Sequence, residues 1–262
     1  LYIQFPEGEV NADDITPDQF YDRLEKMAPK IPTTAQPSAG IFAELYRQLG
    51  STNDEIMSIH ISSGLSGTID SARLGIQNVP HRIIHLVDAM TLSGGERFQV
   101  LAAAFAARAG KSKEFVLDRL AKIRESTEVV YTLETLEYLQ RGGRIGRVQA
   151  LAGMLLKIKP IIHVDKKDGK YTTLGKERTV PKALETITEH ITEKYGNQVP
   201  LWVTVLHGRF ADQADRLATM MREKVNVAKL EILRISPVLG VHTGPGIVGL
   251  AVVPMELMEG LE

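Results

Sequence analysis

Hydrophobic and polar positions along this 262-residue chain switch between two periods, and the switches mark its elements. Short apolar runs bounded by polar turns, over Asp54–Ser62 and Arg82–Asp88, predict buried strands, because they are too short for helices. Between them, Gly67–Gln77 carries apolar residues at helical spacing. An Ala-rich pattern from Ser93 to Ala109 starts at a serine and stops at Gly110, which predicts a helix with Ser93 as its cap. Ser112–Ser126 repeats the scheme, with Phe115, Val116, Leu120 and Ile123 at helical intervals. Strand, helix, strand, helix in this order predicts an α/β first half on a mainly parallel sheet.

The second half is patterned differently. Val129–Leu133 reads as a strand, Glu134–Gln140 as a short helix ended by Gly142-Gly143, and Val148–Ile158 as a helix stopped by Pro160. Ile161–Val164 and Tyr171–Leu174 flank an Asp168-Gly169 pair, the signature of a hairpin turn. Thr179–Lys194 is helical, Leu201–His207 a strand, Ala211–Lys224 a helix, and Leu230–Ser236 and Ile247–Val253 are closing strands. Hairpins mixed with helices predict an α+β unit on a largely antiparallel sheet. The change of pattern places a boundary near Thr127, giving domains 1–127 and 128–262.

Composition narrows the functional classes. With 44% hydrophobic and 24% charged residues the chain is of the ordinary globular kind, and a net charge of -1 argues against a general nucleic-acid or membrane-surface protein. The absence of Cys removes thiolate catalysis, disulfides and Cys-based zinc sites, and fits a reducing compartment. No run approaches the roughly 18 apolar residues of a membrane span, and the first residues lack a signal-peptide pattern. A cytoplasmic protein is expected. The chain opens on Leu1, already in a strand-like segment, so a missing N-terminal piece is also expected.

Charge is uneven within that neutral total. Arg141–Arg178 holds ten Lys/Arg against three acids, a net +7. Such a segment is either a solvated face with a basic hairpin, or a docking surface for an acidic partner or a phosphate-bearing ligand.

Candidate chemistry lies on turns. Ile59-His-Ile-Ser-Ser-Gly-Leu-Ser-Gly-Thr68 runs from a strand through a Ser/Gly/Thr turn into a helix, an arrangement that points backbone N–H groups and hydroxyls at an anion. Pro32-Thr-Thr-Ala-Gln-Pro-Ser-Ala-Gly40 is a second hydroxyl-rich turn before a helical pattern; Thr34 or Ser38 taken alone is a helix cap. Together the two turns could converge on one carboxylate or phosphate. His242 sits on the glycine-rich turn Leu239–Gly246, within reach of the same anion.

Other motifs fail. Gly244–Gly249 has G-x-G-x-x-G spacing, but the chain ends 13 residues later, leaving no room for the acid a dinucleotide fold needs about 20 residues on; it reads as a turn between strands. Gly64-Leu-Ser-Gly-Thr68 is an imperfect nucleophile elbow, which keeps a lipid-ester hydrolase using Ser66 and His242 as an alternative. His81 and His85 straddle a strand entry and do not share a helical face, against a metal site.

Five segments in one order, Pro-Thr-Thr-Ala-Gln-Pro-Ser, Ser-Ser-Gly-Leu-Ser-Gly-Thr, Leu-Glu-Tyr-Leu-Gln-Arg-Gly-Gly-Arg-Ile, Leu-Leu-Lys-Ile-Lys-Pro-Ile and Val-His-Thr-Gly-Pro-Gly, resemble the DegV family of bacterial fatty-acid-binding proteins over nearly the whole chain. The resemblance implies two α/β domains, the first Rossmann-like, with a long-chain fatty acid between them and no cofactor or catalysis of its own. It implies that the carboxylate is presented to a separate fatty acid kinase subunit, which forms an acyl-phosphate. Thr34, Ser66 and His242 match the family's carboxylate ligands, although Ala35 departs from the usual serine; Ser63 and Gly67 belong to the same head-group turn. Arg144 and Arg178 match arginines linked to phosphate handling or kinase docking. Met154, Leu155 and Ile158 are candidates for the tunnel lining. Family members open with a strand ending in Asp-Ser-Thr, absent here, so either the chain is truncated or part of the site is missing. A small-anion sensor is the non-lipid alternative.

Overall fold

The computed structural model describes residues 1–51, 54–154 and 158–260. Its first strands, β1 (Tyr2–Phe5) and β2 (Gly8–Asn11), form an antiparallel hairpin, and β3 (Thr33–Ala35) pairs with the other side of β1. Between them, α1 (Pro17–Lys26) is started by a reciprocal capping box between Thr16 and Gln19, with Pro17 in the first turn. Helix α2 (Ala39–Gln48) begins where the Ser38 hydroxyl accepts the Ile41 N–H. Next come β4 (Glu55–His60), α3 (Thr68–Gln77) and β5 (Ile83–Asp88), a β–α–β unit whose strands pair in parallel. Helices α4 (Ser93–Arg108) and α5 (Lys113–Ser126) complete the first half.

The α/β expectation for this half stands, with parallel pairing confined to β4 and β5. Ser93 is not the cap of α4: that position is Leu92, and Ser93 lies inside the helix at φ 51°. A left-handed first residue turns the chain sharply off the preceding loop, a geometry that apolar spacing does not register.

In the second half, β6 (Glu128–Leu133) leads to the short helix α6 (Glu137–Arg141), a 3-10 stretch over Gly146–Met154, the hairpin β7 (Lys159–Val164) and β8 (Tyr171–Glu177), and α7 (Val180–Tyr195). Then come β9 (Leu201–His207), α8 (Ala211–Lys224), β10 (Val227–Arg234), α9 (Pro237–Thr243) and β11 (Ile247–Pro254). Six strands join in the order β10-β9-β11-β6-β7-β8, antiparallel throughout except the β10–β9 pair, so the largely antiparallel expectation stands.

Two expectations are corrected here. The segment read as a helix over Val148–Ile158 is 3-10 as far as Met154, and Pro160 lies within β7. Gly146 at φ 45° opens the stretch, and the Arg147 guanidinium reaches Asp165 and Asp168 of the distant hairpin, a contact no local period encodes. The turn read over Leu239–Gly246 is helix α9 up to Thr243, started by Pro237 and by the Ser236 hydroxyl accepting the Leu239 N–H. Gly244–Gly246 therefore joins a helix to a strand.

Both faces of the six-stranded sheet are covered, as strand alternation requires. Val129, Tyr131 and Leu133 of β6 join Ile247, Ala251 and Val253 of β11 in a core with α4 and α5. Val130, Val248, Leu250 and Val252 face the other way, into a core with α7 and α8. Thus α4 and α5, which precede Thr127, pack on strands that follow it. Two smaller cores hold α1 against β1 and α9, and α2 against α3 and β4–β5.

Candidate functional site

A cavity of about 500 Å³ lies where β3, α2 and the β4–α3 turn meet β9, β10 and α9, a size suited to a small-molecule ligand. Phe42, Leu65, Leu92, Leu206, Ile235 and Leu239 give it an apolar body. Thr34, Ser66, Thr68, Arg144 and His242 also line it and supply hydroxyls and positive or polarisable groups.

Thr34 sits in β3, not at a helix start; Ser38 is the cap. From there its Oγ1 lies 2.9 Å from Nε2 of His242, on the last turn of α9, although 208 positions separate them. Nδ1 of His242 is buried against Gly142 and has no partner among the described residues. A buried N–H without an acceptor is costlier than a buried lone pair, so the network assigns the proton to Nε2, which donates to Thr34. The Thr34 hydroxyl proton is then free to point at an anion in the cavity. Burial, with the Arg144 charge adding to it, pulls the His242 pKa down to about 4, so the ring is neutral at pH 7.

Ser66 Oγ lies 2.8 Å from Thr68 Oγ1 and also accepts the Thr68 N–H. When Thr68 donates, the Ser66 proton is likewise free. Several N–H groups of this turn already have acceptors: those of Leu65 and Ser66 on the Ser62 carbonyl, that of Gly64 on the Ser62 hydroxyl, and that of Ser63 on the Asp88 carboxylate. Ser63 and Gly67 do not line the cavity; Gly67 lies under the Gln36 amide, which a Cβ would meet at 2.8 Å.

Arg144 lines the cavity half-buried, its guanidinium donating to the Gly142 carbonyl at 2.7 Å. Arg178 is exposed between β8 and α7, outside the lining. Much of the basic segment is internally paired: Arg147 with Asp165 and Asp168, Lys166 with Glu128, Arg141 with Glu137. The Met154 side chain and Leu155 lie outside the described residues, and Ile158 is buried but not in the lining. His81 falls in the turn before β5, while His85 pairs with Glu55.

Sequence reading missed Glu96, Arg97 and Tyr171, all in the lining. Burial, with Asp88 adding to it, raises the Glu96 carboxyl to about 7 against a bond from the Ile61 N–H. Arg97 is held at 2.9 Å by Glu231 of β10. An acid and a base in the first turn of a helix carry no local signal of a cavity; only the fold brings them to its lining. Ser66 and His242 share the cavity, yet each is hydrogen-bonded to a different threonine, and a hydrolase pair would need them on one another.

Known proteins share this fold. A family model described as an uncharacterised protein of the DegV family matches residues 1–255. A DegV domain-containing protein of Deinococcus radiodurans is 37% identical over 252 residues, 96% of this chain and 87% of that protein. A structure from Thermus thermophilus, reported as fatty acid binding of a DegV family protein, is 31% identical with a TM-score of 0.89 over 97% of this chain and 90% of its own. DegV of Bacillus subtilis, reported as a fatty acid binding protein, is 29% identical with a TM-score of 0.86 over 97% and 89%. With sequence and fold in agreement from end to end, this chain belongs to the DegV family.

Proposed function

We propose that the protein binds a long-chain fatty acid in this cavity, with the carboxylate on the hydroxyls of Thr34 and Ser66 and with His242 orienting Thr34, and presents it to the catalytic subunit of a fatty acid kinase. The observation that carries the reading is the Thr34–His242 pair, joined at 2.9 Å, in the lining of a cavity that Ser66 also lines and that has a largely apolar body. Solved relatives that bind fatty acids support it.

The division of labour follows from magnitudes. Charge-assisted hydrogen bonds from the two hydroxyls contribute roughly 1.5–3 kcal/mol each and fix orientation. Each methylene buried contributes about 0.8 kcal/mol, so a dozen supply on the order of 10 kcal/mol before ordering costs. Arg144, inside the cavity, suits a phosphate built on the carboxylate, and exposed Arg178 suits docking. The protein itself performs no chemical step in this reading. The same reading divides the chain near Thr127, with α4 and α5 clasping the second unit.

Native mass spectrometry of the purified protein, repeated after organic extraction, tests it. A stoichiometric fatty acid is expected. In the double variant T34A/S66A affinity for that acid should fall at least tenfold with the fold intact, as loss of one to two such bonds implies. Unchanged affinity removes the head-group assignment.

A further inference from the structure

The start of α4 puts Leu92, Ser93, Glu96 and Arg97 on the cavity, at the three- and four-residue spacing of one helical face. Arg97 is held by Glu231 of β10. Glu96 accepts one bond, from the Ile61 N–H, and no other group among the described residues donates to its carboxyl or accepts from it. The charge that acts on it is that of Asp88, whereas the Arg144 charge acts on His242, so Glu96 stands apart from the head-group residues. A plain methylene chain laid over this carboxyl would strip water from a polar group and return no hydrogen bond, a cost that falls on every unsubstituted acyl chain. A hydroxyl removes that cost. It accepts from the protonated carboxyl and donates to the ionised one, and with the group raised to about 7 both forms are present at neutral pH.

We propose that Glu96 is a specificity-determining residue that pairs with a hydroxyl carried on the acyl chain, so that the protein favours hydroxylated long-chain fatty acids over their unsubstituted parents. The proposal rests on the fatty-acid reading and deepens it by naming the ligand class. Discrimination at such a site comes from the group left unpaired: a buried polar partner without its ligand hydroxyl costs more than a missing methylene. One turn of chain sets both contacts. Ile61 holds Glu96, and the Ser62 carbonyl next to it holds the N–H of Ser66, whose hydroxyl takes the ligand carboxylate in that reading. The spacing between ligand carboxylate and ligand hydroxyl is thereby fixed, and one positional isomer should stand out.

The test measures, at neutral pH, the affinity of delipidated protein for stearic acid and for a set of its monohydroxy positional isomers, in wild type, E96Q and E96L. In wild type one isomer should bind more tightly than the parent acid. In E96L the preference for that isomer over the parent should fall by about tenfold or more, the loss of one hydrogen bond to a buried group. E96Q, which keeps a donor and an acceptor, should retain the preference. If E96L fails to fold, E96A takes its place. Three results overturn the assignment while leaving fatty-acid binding in place: no isomer preferred by the wild type, an unchanged preference in the apolar variant, or an equal loss for parent and hydroxylated acids, which would make Glu96 a head-group donor. Failure of the wild type to bind any member of the set overturns the fatty-acid reading as well.

Discussion

His242 and Glu96 face one cavity and carry opposite pH dependences. Burial, then Arg144, holds His242 at about 4 against its ordinary 6.5. As pH falls below 6.5 the unfolded chain takes the proton first, so stability is lost down toward pH 4, on the order of 3 kcal/mol in all. Glu96 is raised from 4.5 to about 7, first by burial and then by Asp88. Its folded carboxyl keeps a proton that the unfolded one releases above 4.5, so stability is lost as pH rises through 7. Glu96→Gln, neutral throughout, is expected to raise Tm at pH 8 by roughly 5 °C and to leave it nearly unchanged at pH 4.5. An equal shift at both pH values, measured by calorimetry, would contradict a neutral buried carboxyl. At neutral pH a partly protonated Glu96 repels an incoming anion less than a fully ionised carboxylate would.

At the scale of elements, the β7–β8 hairpin is locked onto the head-group turn. Gly169 sits at φ 64° with its missing side chain against the Ser62 hydroxyl and Met90, and Gly64 meets the Asp168 carbonyl in return. Met90 itself is left-handed at φ 53°, a strain held by this packing. Gly169→Ala therefore adds steric conflict to backbone strain and is expected to cost about 3 kcal/mol. Gly110→Ala, at φ 66° with open space around it, suffers the strain alone, about 1 kcal/mol. Chemical denaturation of both variants checks the difference, which vanishes if the hairpin does not rest on the turn. The loss in Gly169→Ala should also weaken ligand binding, because Ser66 hangs from the Ser62 carbonyl.

For the whole molecule, the residues proposed for binding and for docking are spatially separate. Arg178 is outside the cavity lining, whereas Thr34, Ser66 and His242 are inside it. Arg178→Glu is expected to leave fatty-acid affinity within about twofold of wild type, in keeping with a surface substitution, while sharply reducing phosphorylation by the kinase subunit. Normal turnover by that variant would remove Arg178 from the docking surface. No helix among the described residues is long and apolar enough to cross a membrane.

Local chemistry made much of this legible in the sequence. Capping serines and threonines started α2, α5 and α7 where expected, because a cap and the turn it serves are neighbours in the chain. Short apolar runs in β6, β9 and β11 foretold strands, and the motifs carrying Thr34, Ser66 and His242 singled out residues that the fold brings to one cavity. Tertiary structure decided the rest. The Thr34–His242 bond spans 208 positions, the 3-10 form of Gly146–Met154 accompanies an ion pair to a distant hairpin, and Glu96 and Arg97 turn inward only because α4 packs across the large sheet. Helices, strands and caps are set by interactions within a few residues, which a sequence displays; a cavity and its shifted pKa values are set by which distant surfaces meet.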